Sequence, residues 1–299
     1  MKTYNTIKRY NQNFKNFNFS DLSPIADNEY LEMIIEFDSE GKVLSEMKYQ
    51  PNGELEEENN YKYDVNGKLI EHHFYYVLDD ARETVVMTRN EKGKLISEVK
   101  FYGTDPGARI EFEYDKDDRV IGILNYDDDS DFVSKETIVY NEKGKVIGRS
   151  TNGLDGKIVS DFKFNYKSET EIEELSYDAD GKLISTTTTI FDDKGRELSN
   201  IEKNVQGKLI TSLQNTYDDR GNVIEKLYKD FYNKMVKNQY DEKDRLIVQE
   251  IFDTTGMVVK RNSFEYDEEG NVSNEHSFEM DSNRGGRDKH FGTRYEYIS

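Results

Sequence analysis

The chain contains no cysteine, which excludes a disulfide framework, thiolate catalysis and thiolate metal sites. Proline is scarce: Pro24, Pro51 and Pro106 each fall where the pattern predicts a break, as proline must in a continuous sheet. Long apolar runs are missing too. No run of about 18 apolar residues occurs, and residues 1–20 lack an apolar signal-peptide core and a small-residue cleavage site. From these absences we expect a soluble, cytoplasmic protein with no membrane contact. Basic residues are outnumbered, with a formal net charge of −20. Nucleic acid is thereby excluded as an expected partner, because binding phosphate backbones rests on Lys and Arg. The acidic surface would instead steer basic proteins towards it.

What the chain has in abundance is a repeat. The stretch Tyr63-Asp64-Val65-Asn66-Gly67-Lys68-Leu69-Ile70 returns to the C-terminus, including Tyr114 to Ile121, Tyr140 to Ile147, Tyr217 to Ile224 and Tyr266 to Ser273. Aligning the turn position gives Gly41, Gly67, Gly93, Asp118, Gly144, Thr170, Gly195, Gly221, Asp244 and Gly270, in steps of 26, 26, 25, 26, 26, 25, 26, 23 and 26. A second set of turns interleaves with the first: Gly53, Asp79, the Asp105-Pro106-Gly107 corner, Ser130, Gly156, Gly181, Gly207, Asn233, Gly256 and Asn283. The interval of about 12 to 14 residues holds one strand and one turn, so successive turns fall at opposite ends of a meander. Asp or Asn after the aromatic residue suits a side chain bonded to the backbone two residues on, and Gly supplies positive φ. Asp118 and Asp244 are tolerable substitutes there. Thr170 predicts a distorted turn.

Alternation places Ile110, Phe112 and Tyr114 on one face, and likewise Phe162, Phe164 and Tyr166. After the turns, Leu95, Val99 and Phe101 read as continuing an apolar row against Glu98 and Lys100. The fold expected is all-β: an antiparallel meander of about twenty strands built from 26-residue hairpin repeats, curled or spiralling because large twisted sheets do not stay flat. Residues 29–299 form that repeat domain. Residues 1–28, with Tyr4, Ile7, Tyr10, Phe14 and Phe17 at helical steps, read as a possibly helical cap over the first open strand. Repeat-to-repeat packing is the expected role of the turn residues Tyr63, Asp64, Gly67, Tyr114, Tyr140, Gly144, Tyr217, Gly221, Tyr266 and Gly270.

The Tyr-Asp-x-x-Gly-Lys-Leu-Ile signature resembles the YD repeats of the Rhs family across roughly residues 37–280. The resemblance implies a long repeated antiparallel sheet and an association with toxins. The family's shell and autoproteolysis do not carry over, since the chain is short and no toxin domain follows Gly270. Short repeat proteins of this look are also similar to immunity or antitoxin proteins.

No catalytic constellation stands out, and we expect no enzyme and no cofactor. The adjacent His72 and His73 point to opposite faces of a strand, while His276 and His290 lie far off in sequence. The densest acidic cluster, Asp127, Asp128, Asp129 and Asp131, lacks the glycine and glutamate of a calcium-binding EF-hand loop and reads as a solvated turn. It is also the candidate partner-binding patch. The functional expectation is therefore a cytoplasmic immunity or antitoxin protein that occludes a basic toxin. The alternative is a self-associating scaffold or adaptor that uses open sheet edges, Thr293 to Ile298 above all.

Overall fold

The computed structural model describes residues 4–14, 26, 28–230, 233–280 and 288–299. Among them 22 β-strands follow one another: β1 (Thr6–Asn13), β2 (Asn28–Phe37), β3 (Val43–Tyr49), β4 (Leu55–Tyr63), β5 (Leu69–Tyr76), β6 (Ala81–Arg89), β7 (Leu95–Tyr102) and β8 (Asp105–Tyr114). The series continues with β9 (Val120–Tyr126), β10 (Phe132–Tyr140), β11 (Val146–Gly153), β12 (Ile158–Tyr166), β13 (Glu171–Tyr177), β14 (Leu183–Phe191) and β15 (Glu197–Asn204). It ends with β16 (Leu209–Tyr217), β17 (Val223–Lys229), β18 (Lys234–Tyr240), β19 (Leu246–Phe252), β20 (Val258–Tyr266), β21 (Val272–Glu279) and β22 (Lys289–Ile298). Two compact units share these strands. One comprises residues 1–61, 74–80 and 215–299, and the other residues 62–73 and 81–214.

One turn design serves both ends of the strands. Asp38, Asp64, Asn90, Asp115, Asn141, Asp192, Asp218 and Asp241 each accept, through Oδ1, the backbone N–H groups two and four residues on. Asp127, Asp178, Asn204 and Asp253 do the same in the second set. This satisfies donors that a tight loop would otherwise leave to water. The residue at the restart of the strand is left-handed, as at Gly144 (φ 76°), and Asp118 (φ 60°) and Asp244 (φ 62°) take that conformation where glycine is absent. Thr170 does not. Its turn closes instead through Lys167 N–H to Glu171 O (3.0 Å) and Thr170 N–H to Ser168 Oγ (3.1 Å).

Immediately after most first-set turns the register slips by one residue, as between Glu113 and Tyr114 opposite Val120 and between Val139 and Tyr140 opposite Val146. Such a bulge disturbs the ladder locally. The repeat tyrosine of the next hairpin supplies a donor there: Tyr114 OH donates to Leu95 O (2.7 Å), Tyr140 to Val120 O (2.9 Å), Tyr166 to Val146 O (3.0 Å), Tyr240 to Val223 O (3.0 Å) and Tyr266 to Leu246 O (2.8 Å). Cations cover several of these rings, with Arg119 4.7 Å from the Tyr140 centroid and Arg245 4.4 Å from that of Tyr266. Repeat-to-repeat stapling thus runs through hydroxyls and cations.

The slip also redistributes the faces. Glu98 pairs with Ile110 and Val99 with Arg109, so Glu98 shares the face of Ile110 and Phe112 while Val99 and Phe101 lie on the other. The expected single apolar face is therefore split between both sides. Asp105-Pro106-Gly107 belongs to β8, and the turn expected there sits earlier, with Gly103 left-handed (φ 62°). Pro106 remains tolerable as the second residue of its strand beside a register slip.

Within the expected N-terminal cap, Thr6–Asn13 is a strand rather than a helix, while Phe17 and Pro24 of that cap lie outside the described residues, as does Asn283 of the second set of turns. β1 pairs antiparallel with β2 through Thr6↔Glu36 to Asn13↔Asn28 and with β22 through Thr6↔Ile298 to Asn13↔Phe291. Ladders on both sides outweigh the helical spacing of Tyr4, Ile7, Tyr10 and Phe14, a local preference that tertiary pairing overrides. All 22 strands belong to one sheet, and pairing of the first strand with the last closes it as a β-barrel. The open, spiralling meander of about twenty strands is corrected accordingly. Thr293 to Ile298 is no edge, because β22 is bonded to both β21 and β1.

Two outcomes follow. Tyr166→Phe, which deletes only the hydroxyl, should lower stability by about 1 kcal/mol, read as a shift of the urea midpoint at unchanged slope. The second concerns acid. Backbone N–H donation from Arg119, Arg196 and Arg245, joined by their guanidinium groups, holds the carboxyls of Asp115, Asp192 and Asp241 below the ordinary aspartate value. Stability from these turns is fully present above the unfolded aspartate pKa of about 3.9 and is lost as pH falls through the lower folded values. The stability lost in Asp192→Asn relative to the unaltered chain should hold between pH 7 and about 5 and shrink below about 4, read as the difference between their melting temperatures.

Candidate functional site

Within residues 81–214 the register identifies two unlike faces. One carries Phe132, Ser134, Glu136, Ile138 and Tyr140 of β10, paired with Arg149 and Thr151 of β11. It continues through Phe162 and Phe164 of β12, Glu174 of β13, Thr187 of β14 and Glu202 of β15. This is the more buried face, with Ile138 and Ser185 among its covered residues. Its polar groups form a string. Arg149 Nε lies 2.7 Å from Glu136 Oε1, and Glu174 stands within electrostatic reach of both Arg149 and Glu202. Amide and hydroxyl pairs extend it, Asn125 to Ser134 (3.1 Å) and Asn200 to Thr189 (2.9 Å). Carboxylates, hydroxyls and phenyl rings in this order suit hydrated cations and polar solutes.

The opposite face has charged middles and aliphatic ends. Lys135 pairs with Glu113 (2.6 Å) and Lys163 lies over the Tyr177 ring, while Lys167, in the turn between β12 and β13, pairs with Glu173 (2.8 Å). Val139 and Ile190 are exposed near the first-set turns, and Val133, Val159, Ile184 and Ile210 near the second set. An open groove of about 430 Å³ on β8–β10 is lined by Glu113, Asp115, Arg119, Lys135, Thr137 and Tyr140 among others. Its charges are mutually paired, since Arg119 also bridges to Asp115 at 2.6 Å.

The acidic cluster singled out in the sequence lies in the turn between β9 and β10. Asp127 Oδ1 accepts from Asp129 N–H (3.1 Å) and Asp131 N–H (2.9 Å), and Asp128 Oδ1 accepts from Ala108 N–H (2.8 Å). Two of the four carboxylates thus serve the backbone. Among the described residues no group of three or more His, Cys, Asp or Glu is placed to hold a metal ion. The string Glu136, Arg149, Glu174 and Glu202 had no signature in the sequence, because in a charged repeat only the register tells which carboxylates share a face.

No protein-family model and no curated protein matches the chain. Among solved structures it is similar to a porin-like protein from Bacteroides uniformis ATCC 8492, with 9% identity over 98% of this chain and 96% of that one and a TM-score of 0.32. A protein of unknown function from Bacteroides fragilis NCTC 9343 matches 56% of this chain and 86% of its own at 15% identity and a TM-score of 0.15. At these TM-scores neither likeness carries an argument, and the barrel closure stands on the β1–β22 ladder.

Closure corrects the earlier expectations in turn. The YD repeats of the Rhs family implied an open repeat sheet, and the ring closed by the β1–β22 ladder departs from it. The immunity or antitoxin function, with a basic toxin as partner, loses the open curved sheet it was built on. The scaffold alternative loses the edges through which the chain was to self-associate. Cytoplasmic placement without membrane contact rested on the lack of an apolar run. That criterion applies to helices; a barrel crosses with strands, where apolar residues alternate.

Proposed function

We propose that this chain is a porin-like barrel with a transport role, passing hydrophilic solutes and favouring cations. The observation that carries the proposal is the closure of an even-numbered antiparallel sheet by β1 and β22. A closed sheet satisfies its own ladder groups, which is the condition a bilayer imposes on any strand structure within it. The carboxylates Glu136, Glu174 and Glu202, set with one arginine on the more buried face, supply the preference for positive charge.

On the other face the aliphatic ends of the strands are the surface offered to lipid, each buried CH₂ contributing about 0.8 kcal/mol. The charged middles oppose this, since a lysine facing lipid at the midplane costs about 2–4 kcal/mol. Pairing of Lys135 with Glu113 and the stacking of Lys163 over the Tyr177 ring reduce that cost.

Reconstitution into planar bilayers tests the proposal. Stable conductance with a reversal potential showing cation preference is expected, and Glu174→Gln with Glu202→Gln should cut the preference at least twofold without abolishing conductance. Protein that neither floats with liposomes nor conducts would overturn it.

A further inference from the structure

The strand ring closes beside an unusual cluster. Register places His276 opposite Gly292, Phe278 opposite His290 and Gln12 opposite Gly292, so these side chains share one face of β21, β22 and β1. Phe14, one residue past β1, lies 5.5 Å from the His276 ring, and Phe278 lies 5.1 Å from that of His290. Phe14 and Phe278 are among the few buried apolar residues of the described chain. Phe14 can lie there because Gly292 has no side chain: a Cβ would sit 2.9 Å from Phe14 Cε2 and 3.0 Å from Glu275 O. Phe14 N–H also donates to His290 O (3.3 Å). Phe14, at the end of β1, thus touches β21 through the His276 ring and β22 through His290 O, and the Phe278–His290 contact joins β21 to β22 beside it.

We propose that this seam is an acid-sensitive latch, in which protonation of His276 and His290 releases Phe14 and loosens the β1–β22 ladder. The charged groups facing the cluster, among the described residues, are Glu265 and Arg261 from β20, Arg294 from β22, Glu29 from β2 and Asp288 beside His290. Glu265 Oε1 is 4.0 Å from His276 Nε2 and its side chain is 44% exposed, so its pull on an imidazolium is screened by water. Glu29 is already committed to Arg294, at 2.7 and 3.0 Å, and to Gln12, at 2.7 Å. Arg294 is likewise paired, with Glu29 (2.7 Å) and Glu296 (3.4 Å), and Arg261 with Glu250 of β19 (3.6 Å), so none of these carboxylates is left over to balance an imidazolium. An imidazolium gains some attraction from a phenyl face, less than it loses by leaving water. Neutral rings therefore fit the closed seam, and charging them as pH falls favours the open one. The latch is independent of the transport reading.

Hydrogen exchange of the full chain, followed by mass spectrometry at pH 7.5 and 5.5 and corrected for intrinsic rates, tests it. Expected at pH 5.5 is at least tenfold faster exchange over residues 6–13 and 289–298, with residues 105–140 unchanged. His276→Phe with His290→Phe should abolish the response, and the single His290→Gln, which leaves Phe14 against His276, should weaken it. Equal seam protection at the two pH values, or a response surviving in either variant at full size, would overturn the latch.

Discussion

Everything in this protein depends on the first strand having two neighbours. Eight residues of β1 are matched in register to β2 on one side and β22 on the other, although the strand itself is polar. Its stability comes from ladder hydrogen bonds on both sides and from side chains that reach across it. Arg294 of β22 grips Glu29 of β2 over the top of β1 and stacks 4.0 Å above Tyr10. Tyr4 packs against Tyr297 and accepts from Asn271 (2.8 Å). Without this strand β2 and β22 would both present unpaired N–H and C=O groups, an invitation to associate with other chains.

The repeat unit explains how so polar a chain holds a sheet with few fully buried residues. Most hairpins carry an Asx turn, a left-handed residue and a one-residue slip, and many a tyrosine that reaches the preceding hairpin. These contacts are local in the repeat and recur, so stability is distributed along the strands in the manner of repeat proteins. The slip has a second effect. By moving the apolar parity from one side to the other it denies the sheet a single hydrophobic face, and both faces become mixtures of aliphatic, aromatic and charged groups.

That mixture shapes the functional reading. On the more buried face of residues 81–214 the carboxylates outnumber their cations locally, whereas on the other face acids and bases pair and the aliphatic side chains are displaced to the strand ends. The net charge of −20, first read as a means of attracting a basic protein, has a different use under the proposed transport role, where carboxylates act on solute that moves past them. The acidic turn at Asp127 to Asp131, the most conspicuous charge cluster in the sequence, spends part of its charge on its own backbone.

Much of the local structure was legible in the residues alone. Repeat spacing located nearly every strand and turn, and the Asx-to-Gly pattern identified the turn chemistry, including the substitutes Asp118 and Asp244 and the misfit at Thr170, because these depend on backbone conformations that single residues control. Three things were not legible. Whether Val99 faces with Ile110 turns on a one-residue slip that leaves no compositional trace. Residues 6–13 show helical spacing and become a strand only because two partners about 260 positions apart in the chain meet on either side. Closure itself, and with it the loss of every open edge, is a property of accumulated twist and register over 22 strands, which no single repeat encodes and only the tertiary structure decides.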